Sequence, residues 1–173
     1  MKNFLFLVLA FTAVIFTASS CSSGSDTKAK DEKKTDSLVV AMAEWEWKEY
    51  SLKFSAPDNI KVVKNEGTAF EAKMDNDNLE VAIYPWKDGN VTKDNVKEQV
   101  ANLAQTLGFK CSEVIELNLN GFNGAYIICE KDGASCIIEG LIDPNSATNF
   151  YSVIGYTNSY EKQALEIANS FKK

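Results

Sequence analysis

The chain contains no histidine, and all 18 of its basic residues are lysine rather than arginine. Histidine is the commonest general base and the commonest metal ligand, so two kinds of site lose their usual residue together. Without arginine there is no guanidinium fork for phosphate or guanine edges. The formal net charge of −6 also repels phosphate backbones. We therefore expect no nucleic-acid partner, no metal and no cofactor.

Familiar catalytic patterns are also missing. The sequence has no G-x-S-x-G elbow, no Walker loop, no G-x-G-x-x-G turn and no zinc-binding helix. Residues Ser25–Lys28 match S-x-x-K by letters, but they lie in a polar stretch that cannot hold an oxyanion hole in place. We predict that the protein is not an enzyme, and an enzyme of unrecognised type remains the least favoured alternative.

Long apolar runs are absent except at the amino terminus. After Met1-Lys2-Asn3, residues 4–17 read FLFLVLAFTAVIFT. This length fits the apolar region of a secretory signal peptide and is shorter than the roughly 20 residues that a membrane-spanning helix needs.

The residues that follow, Ala18-Ser19-Ser20-Cys21, resemble the lipobox of bacterial lipoproteins, although Ala18 stands where leucine is usual. The resemblance implies that residues 1–20 are a signal peptide and that Cys21 carries a diacylglyceryl group with fatty acids such as palmitate. Cleavage without lipid and an uncleaved anchor are the alternatives. The protein is then expected in the cell envelope. Ser22 favours the outer over the inner membrane by the enterobacterial rule.

Residues 22–37, SSGSDTKAKDEKKTDS, contain no large apolar side chain. Such a segment cannot bury enough surface to offset its ordering entropy, so residues 21–37 are predicted to form a lipidated, flexible tether of about 20–25 Å. Residues 38–173 are predicted to form a single globular domain.

The globular part alternates strand and helix signals. Val96, Val100, Leu103 and Leu107 predict a helix between Thr92 and Gly108, and a second helix is predicted over 159–171. Strands are predicted at 50–57, 60–64, 68–74, 79–85, 110–119, 125–130, 135–142 and 150–156. Trp45 and Trp47 are at odd positions, whereas Tyr50 and Leu52 are at even positions, so a single strand would place the two pairs on opposite faces. A bulge, a break or a separate lead-in segment is therefore required between them. A helix in this stretch is the other alternative.

The central hairpin is apolar on both faces, in Ile127-Ile128-Cys129 and Cys136-Ile137-Ile138. A sheet exposed on one side would alternate instead. The prediction is therefore an α+β fold: an antiparallel sheet of about six to eight strands with helices on both faces.

This order resembles PsbP/Mog1-like domains over residues 45–173. The similarity lies in the stretch from Tyr50 to Ile60, in Asn120-Gly121 before a strand and in the closing IANSFK, although Ile60 stands where the family often has tryptophan. Known members are mostly accessory or binding proteins rather than enzymes.

The cysteines allow several interpretations. A two-residue turn at Asp132-Gly133 places Cys129 opposite Cys136, where a disulfide, two buried thiols or a functional thiol pair are all open. Cys111 is expected to be buried and free.

Four aromatic residues, Trp45, Trp47, Tyr84 and Trp86, are candidate contacts for a partner or ligand. Core packing is the favoured alternative, and Tyr84-Pro85-Trp86 at a strand end is the more exposed part. The acidic stretch MDNDNLE lacks the ligand spacing of a calcium loop and is predicted to be a hairpin turn.

The leading functional hypothesis is a lipid-anchored domain that binds or scaffolds another envelope protein. The alternative is a carrier for a small hydrophobic or sugar-like ligand, held in a pocket near the tryptophans.

Overall fold

The structure is a computed structural model that describes residues 40–131 and 133–173. The predictions for the signal peptide, Cys21, the tether and Asp132 lie outside these residues. No helix in the described part is long and apolar enough to cross a membrane. The elements are β1 (Met42–Trp47), β2 (Leu52–Pro57), β3 (Lys61–Glu66), β4 (Ala69–Lys73), β5 (Leu79–Trp86), α1 (Val96–Thr106), β6 (Lys110–Cys111), β7 (Ile115–Leu119), β8 (Phe122–Lys131), β9 (Ala134–Ile142), β10 (Asn149–Tyr156) and α2 (Glu161–Ala168).

Eight strands form one antiparallel sheet in the order β3-β4-β5-β10-β9-β8-β6, with β7 also paired to β8. The remaining strands, β1 and β2, form a separate hairpin. The predicted α+β class and strand number are confirmed.

The two helices cover opposite faces of the central strands. Helix α1 packs through Val96 and Val100 in one apolar cluster with Ile127 and Ile138. Helix α2 lies in the other cluster, which includes Ile137 and the β1–β2 hairpin. Alternating residues of β8 and β9 therefore enter different clusters, which explains why the hairpin sequence is apolar on both faces.

The expected interruption between the two tryptophans and β2 is a short helical turn that ends β1. Lys48–Tyr50 form one turn of 3-10 helix, and Ser51 follows with φ of 50°. Trp47 is then paired with Leu52, and both side chains are fully buried. The turn allows both halves of the stretch to face the same core.

Some predicted boundaries were wrong. The single strand predicted over 110–119 is divided into β6 and β7, which both pair with β8. Helix α1 begins after Asn95 rather than Thr92, because the Asn95 Oδ1 accepts a hydrogen bond from the Thr92 N–H and closes a preceding turn (2.8 Å). Gly108 ends the helix with φ of 74°, as predicted.

The chain after α2 is held against β2. The backbone N–H and C=O of Lys172 pair with those of Lys53, each at 2.9 Å. The Oγ of Ser170 accepts from the Ser55 N–H at 2.8 Å. Phe171 is thereby buried in the core although it lies beyond the helix.

Candidate functional site

The disulfide differs from the Cys129–Cys136 bridge that was one of the open alternatives. Cys129 is bonded to Cys111, and Cys136 is a free, buried thiol. The predicted register was right, since Cys129 does lie opposite Cys136. The expectation that Cys111 is buried and free was wrong: it is exposed on β6, directly opposite Cys129.

Hydrogen bonding explains why Cys111 is the partner. The Ser112 N–H donates to the Ile128 carbonyl at 2.8 Å, so the next pair along, Cys111 and Cys129, is not hydrogen-bonded. Pairs of this kind lie closer together, at about 4.5 Å between Cα atoms, and here the distance is 4.0 Å. The backbone N–H and C=O of Cys129 face β9 instead. Cys129 and Cys136 therefore form a hydrogen-bonded pair, in which the Cα atoms lie farther apart. Cys111 could not be recognised as a partner from the sequence, because its place opposite Cys129 depends on the division of 110–119 into two strands.

The four aromatic candidates are separated by the fold. Trp47 is fully buried, with its indole N–H donating to the Glu66 carbonyl at 2.9 Å, so it is corrected from a contact residue to a core residue. Trp45 lies opposite the buried Phe54 and packs on the same core. Tyr84 and Trp86 lie on β5, where both are half-buried.

Tyr151 on β10 joins these two residues. It is directly opposite Tyr84, and their rings stack with centroids 5.2 Å apart. The Trp86 ring meets Tyr151 edge-on at 5.8 Å. We call Tyr84, Trp86 and Tyr151 the aromatic patch. Tyr151 could have been found from the sequence, because it is the outward residue of the alternating stretch NFYSVIGY.

The aromatic patch is bordered by charged residues. The Tyr84 hydroxyl donates to Glu71 Oε1 at 3.2 Å. Burial, followed by the nearby Glu71 carboxylate, raises the pKa of Tyr84, so the phenol stays protonated at neutral pH. Burial also raises the pKa of Tyr151. In the register of the sheet, Lys64 on β3 lies directly opposite Glu71, and Lys73 on β4 lies directly opposite Glu80.

Gly140 fixes the position of the patch beside α1. It lies opposite Tyr151 on β9. A Cβ atom at Gly140 would come within 2.7 Å of the Trp86 ring, 2.9 Å of Val96 and 3.0 Å of Val100. Only a glycine here lets the indole and the helix pack side by side on the same strand.

A groove of about 610 Å³ runs past Trp86. Its walls combine aromatic, polar and charged side chains: Tyr50, Pro85, Trp86, Lys87, Asp88, Gly89, Ser146, Ala147, Thr148 and Asn149. Two of its polar side chains form hydrogen bonds with the backbone of the surrounding loops. Asn149 donates to the Val91 carbonyl (3.0 Å), and Asp88 accepts from the Asn90 N–H (2.9 Å).

The MDNDNLE stretch forms the turn between β4 and β5, with Met74 N–H donating to the Leu79 carbonyl at 2.9 Å. Asp75 and Asp77 are paired with Lys61 and Lys73, at 2.6 and 2.9 Å. Within residues 40–131 and 133–173 no cluster of three or more metal-binding side chains occurs. The expectation that the protein needs no metal stays a prediction.

A buried carboxyl, that of Glu139, lies on the face of the sheet opposite the aromatic patch. Glu139 is fully buried, and its Oε2 accepts a hydrogen bond from Ser152 Oγ at 2.7 Å. Its Oε1 has no hydrogen-bond partner among the described residues. Burial raises the pKa of Glu139 well above the ordinary value. The group is sealed from solvent, so it is not placed to act on a substrate.

No protein-family model matches the chain, and no curated protein matches it. Among solved structures, the Ran-binding protein Mog1p of Saccharomyces cerevisiae is similar, with a TM-score of 0.54 and 8% sequence identity. The match covers 77% of this chain and 95% of Mog1p. At this identity the similarity concerns the fold alone. With its eight-stranded antiparallel sheet and two helices, the domain has the PsbP/Mog1 fold.

Proposed function

We propose that this chain is a lipid-anchored lipoprotein of the bacterial cell envelope whose domain binds another envelope protein through the aromatic patch. The patch is the observation that carries the second part. Tyrosine and tryptophan dominate protein-binding energies because they bury large areas at low entropic cost. Here Tyr84 and Trp86 each contact Tyr151 on one face of a sheet.

The surroundings of the patch favour a protein as the occupant. Charged side chains of both signs lie at the Tyr84 side of the patch: Glu71 accepts a hydrogen bond from the Tyr84 hydroxyl, and Lys64 lies directly opposite Glu71 in the sheet. An aromatic centre with a polar rim is the usual anatomy of a protein interface. The patch also lies on a hydrogen-bonded sheet rather than on a loop, so little ordering entropy is lost when a partner binds.

The anchor rests on the lipobox resemblance at Cys21. Two acyl chains suffice for stable membrane attachment, because each buried methylene contributes about 0.8 kcal/mol. Metabolic labelling with a clickable fatty acid should label the wild-type chain. Cys21→Ser should abolish the label and release the protein from washed membranes. Equal labelling of both would contradict the anchor, whatever the fate of the patch.

Site-specific photocrosslinking tests the binding surface. A photoreactive amino acid is placed at Tyr84 or Tyr151 in the full chain in intact cells. Control positions are Lys162 on α2 and Glu98 on α1, both exposed and outside the patch. We expect one protein adduct of the same mass from both patch positions and none from the controls. Equal adducts from all four positions, or none from the patch, would contradict the proposal.

The groove beside Trp86 favours a second candidate, a carrier for a polar, sugar-like ligand. Such ligands stack on an aromatic ring and hydrogen-bond to polar walls, and this groove offers both. A glycan array probed with the full chain and with Trp86→Ala tests it. Loss of a specific signal in the variant would support the carrier over the protein-binding function. Neither candidate involves catalysis.

A further inference from the structure

Three cysteines lie side by side across neighbouring strands. Cys129 on β8 is directly opposite Cys111 on β6 and directly opposite Cys136 on β9. Directly paired residues of an antiparallel sheet point to the same face. The three side chains therefore form a row on one face, with Cys129 in the middle.

The two ends of the row differ in their surroundings. Cys111 is exposed, whereas Cys136 is buried in the cluster that includes Val100 and Ala104 of α1. In the described structure the disulfide joins Cys111 to Cys129 and leaves Cys136 as the thiol. The middle sulfur thus has a bonded partner on one side and a free thiol on the other.

We propose that Cys111, Cys129 and Cys136 form an internal thiol–disulfide exchange site that makes the Cys111 thiol available for modification. The Cys136 thiolate attacks the Cys129 sulfur, the Cys129–Cys136 bond forms, and the Cys111–Cys129 bond breaks. Cys111 leaves as a thiolate and takes up the proton that Cys136 lost. One disulfide and one thiol are present before and after, so no external oxidant or reductant is needed. The exposed Cys111 then reacts with electrophiles or with the disulfide of another molecule.

Burial also explains how the exchange is held back. It raises the pKa of Cys136 to about 12, so only a small fraction is thiolate at neutral pH. Because the thiolate is the attacking species, the rate should rise about tenfold per pH unit below that pKa. Movement of α1 away from β9 would lower the barrier by admitting water. The exchange is therefore slow at neutral pH while α1 covers Cys136.

The test uses the full chain with Cys21→Ser, which leaves only the three cysteines of the row and makes the outcome independent of the lipid anchor. The folded, oxidised protein is incubated with a maleimide and no added thiol, at pH 7, 8 and 9. Peptide mass spectrometry then assigns the labelled and the disulfide-linked cysteines. We expect Cys111 to be labelled, a Cys129–Cys136 crosslink to accumulate in step, and the rate to rise about tenfold per pH unit.

Matched variants remove the internal nucleophile. Cys136→Ser should leave Cys111 unlabelled at every pH, and Cys136→Ala serves the same purpose if a buried hydroxyl impairs folding. The proposal is overturned if the Cys21→Ser chain with all three cysteines of the row keeps only the Cys111–Cys129 bond at pH 9. It is equally overturned if Cys111 is labelled at the same rate with and without Cys136, because the disulfide is then opened by something else.

Discussion

At the scale of single residues, the least expected feature is the buried carboxyl of Glu139. One hydrogen bond from Ser152 does not offset removal of a carboxylate from water, so burial raises the pKa of this acid well above its usual value. A raised pKa in the folded state means that the group's contribution to stability is fully present below the unfolded pKa of about 4.3 and is lost as the pH rises through the folded pKa. The strand predicted at 135–142 contains this residue, but no local pattern shows that its carboxyl is buried with a single hydrogen-bond donor.

Glu139→Gln tests this feature, because glutamine has nearly the same shape and cannot ionise. We expect the free energy of unfolding of wild type to fall relative to the variant by about 1 kcal/mol or more between pH 5 and pH 8. The measurement is urea unfolding at several pH values. The exposed Glu130 on β8 supplies the control, and Glu130→Gln should leave the pH dependence unchanged. Parallel curves for wild type and Glu139→Gln would contradict the account.

A second residue-scale prediction concerns the two lysines that close the described chain. Lys173 pairs with the buried Asp143 at 3.0 Å and lies over the Phe122 and Phe150 rings, at 5.7 and 5.6 Å from their centroids. Lys172 pairs with the exposed Glu44. Lys173→Ala should lower the free energy of unfolding by about 1–3 kcal/mol, because it leaves a buried carboxylate unpaired.

The neighbouring Lys172→Ala gives the comparison for that change. It removes an ion pair at the surface, where such pairs contribute about 0–1 kcal/mol. Chemical denaturation of both variants decides between the two environments. Equal losses would show that the burial of Asp143 does not matter.

At the scale of elements, the hydrophobic patterns of β8, β9 and α1 were enough to predict both their positions and the two covered faces. The division of 110–119 into β6 and β7 was not predictable, because it depends on how both segments share β8 as a neighbour. The prediction of one strand over 110–119 is also why Cys111 was not identified as the disulfide partner. Gly140 carried a signal that was present but not used: a glycine inside a buried strand indicates a close approach of another element.

Gly140→Ala should therefore push α1 and the Trp86 ring away from β9. The added methyl group would overlap the Trp86 ring and the side chains of Val96 and Val100. Overpacking of this kind costs about 1–3 kcal/mol. We expect a lower thermal midpoint and a change in the wavelength of maximum tryptophan emission. Gly89→Ala is the control, since a Cβ atom there meets nothing within 4 Å. Unchanged stability of Gly140→Ala would contradict the packing described for α1.

At the scale of the whole molecule, the order of strands and helices was sufficient to predict the fold that Mog1p also has, at 8% identity. The site was predicted only in part. Tyr84 and Trp86 were identified from the sequence, whereas the contact of Tyr151 with Tyr84 and the burial of Trp47 depend on pairings between distant segments. No local pattern specifies that α1 packs on β8 and β9 and leaves the aromatic residues of β5 and β10 half-buried. The proposed binding surface is therefore a property of the assembled sheet.

The most direct test of the proposed function is the dissociation constant for the protein that crosslinks to the aromatic patch, measured by titration calorimetry with the purified full-length chain. The account predicts that Tyr84→Ala raises this constant at least about tenfold without unfolding the domain, as expected for an aromatic residue at the centre of an interface. Val63→Ala, at an exposed position on the edge strand β3, should bind within about twofold of wild type. If Tyr84→Ala binds the partner as tightly as wild type does, the aromatic patch is not the binding surface.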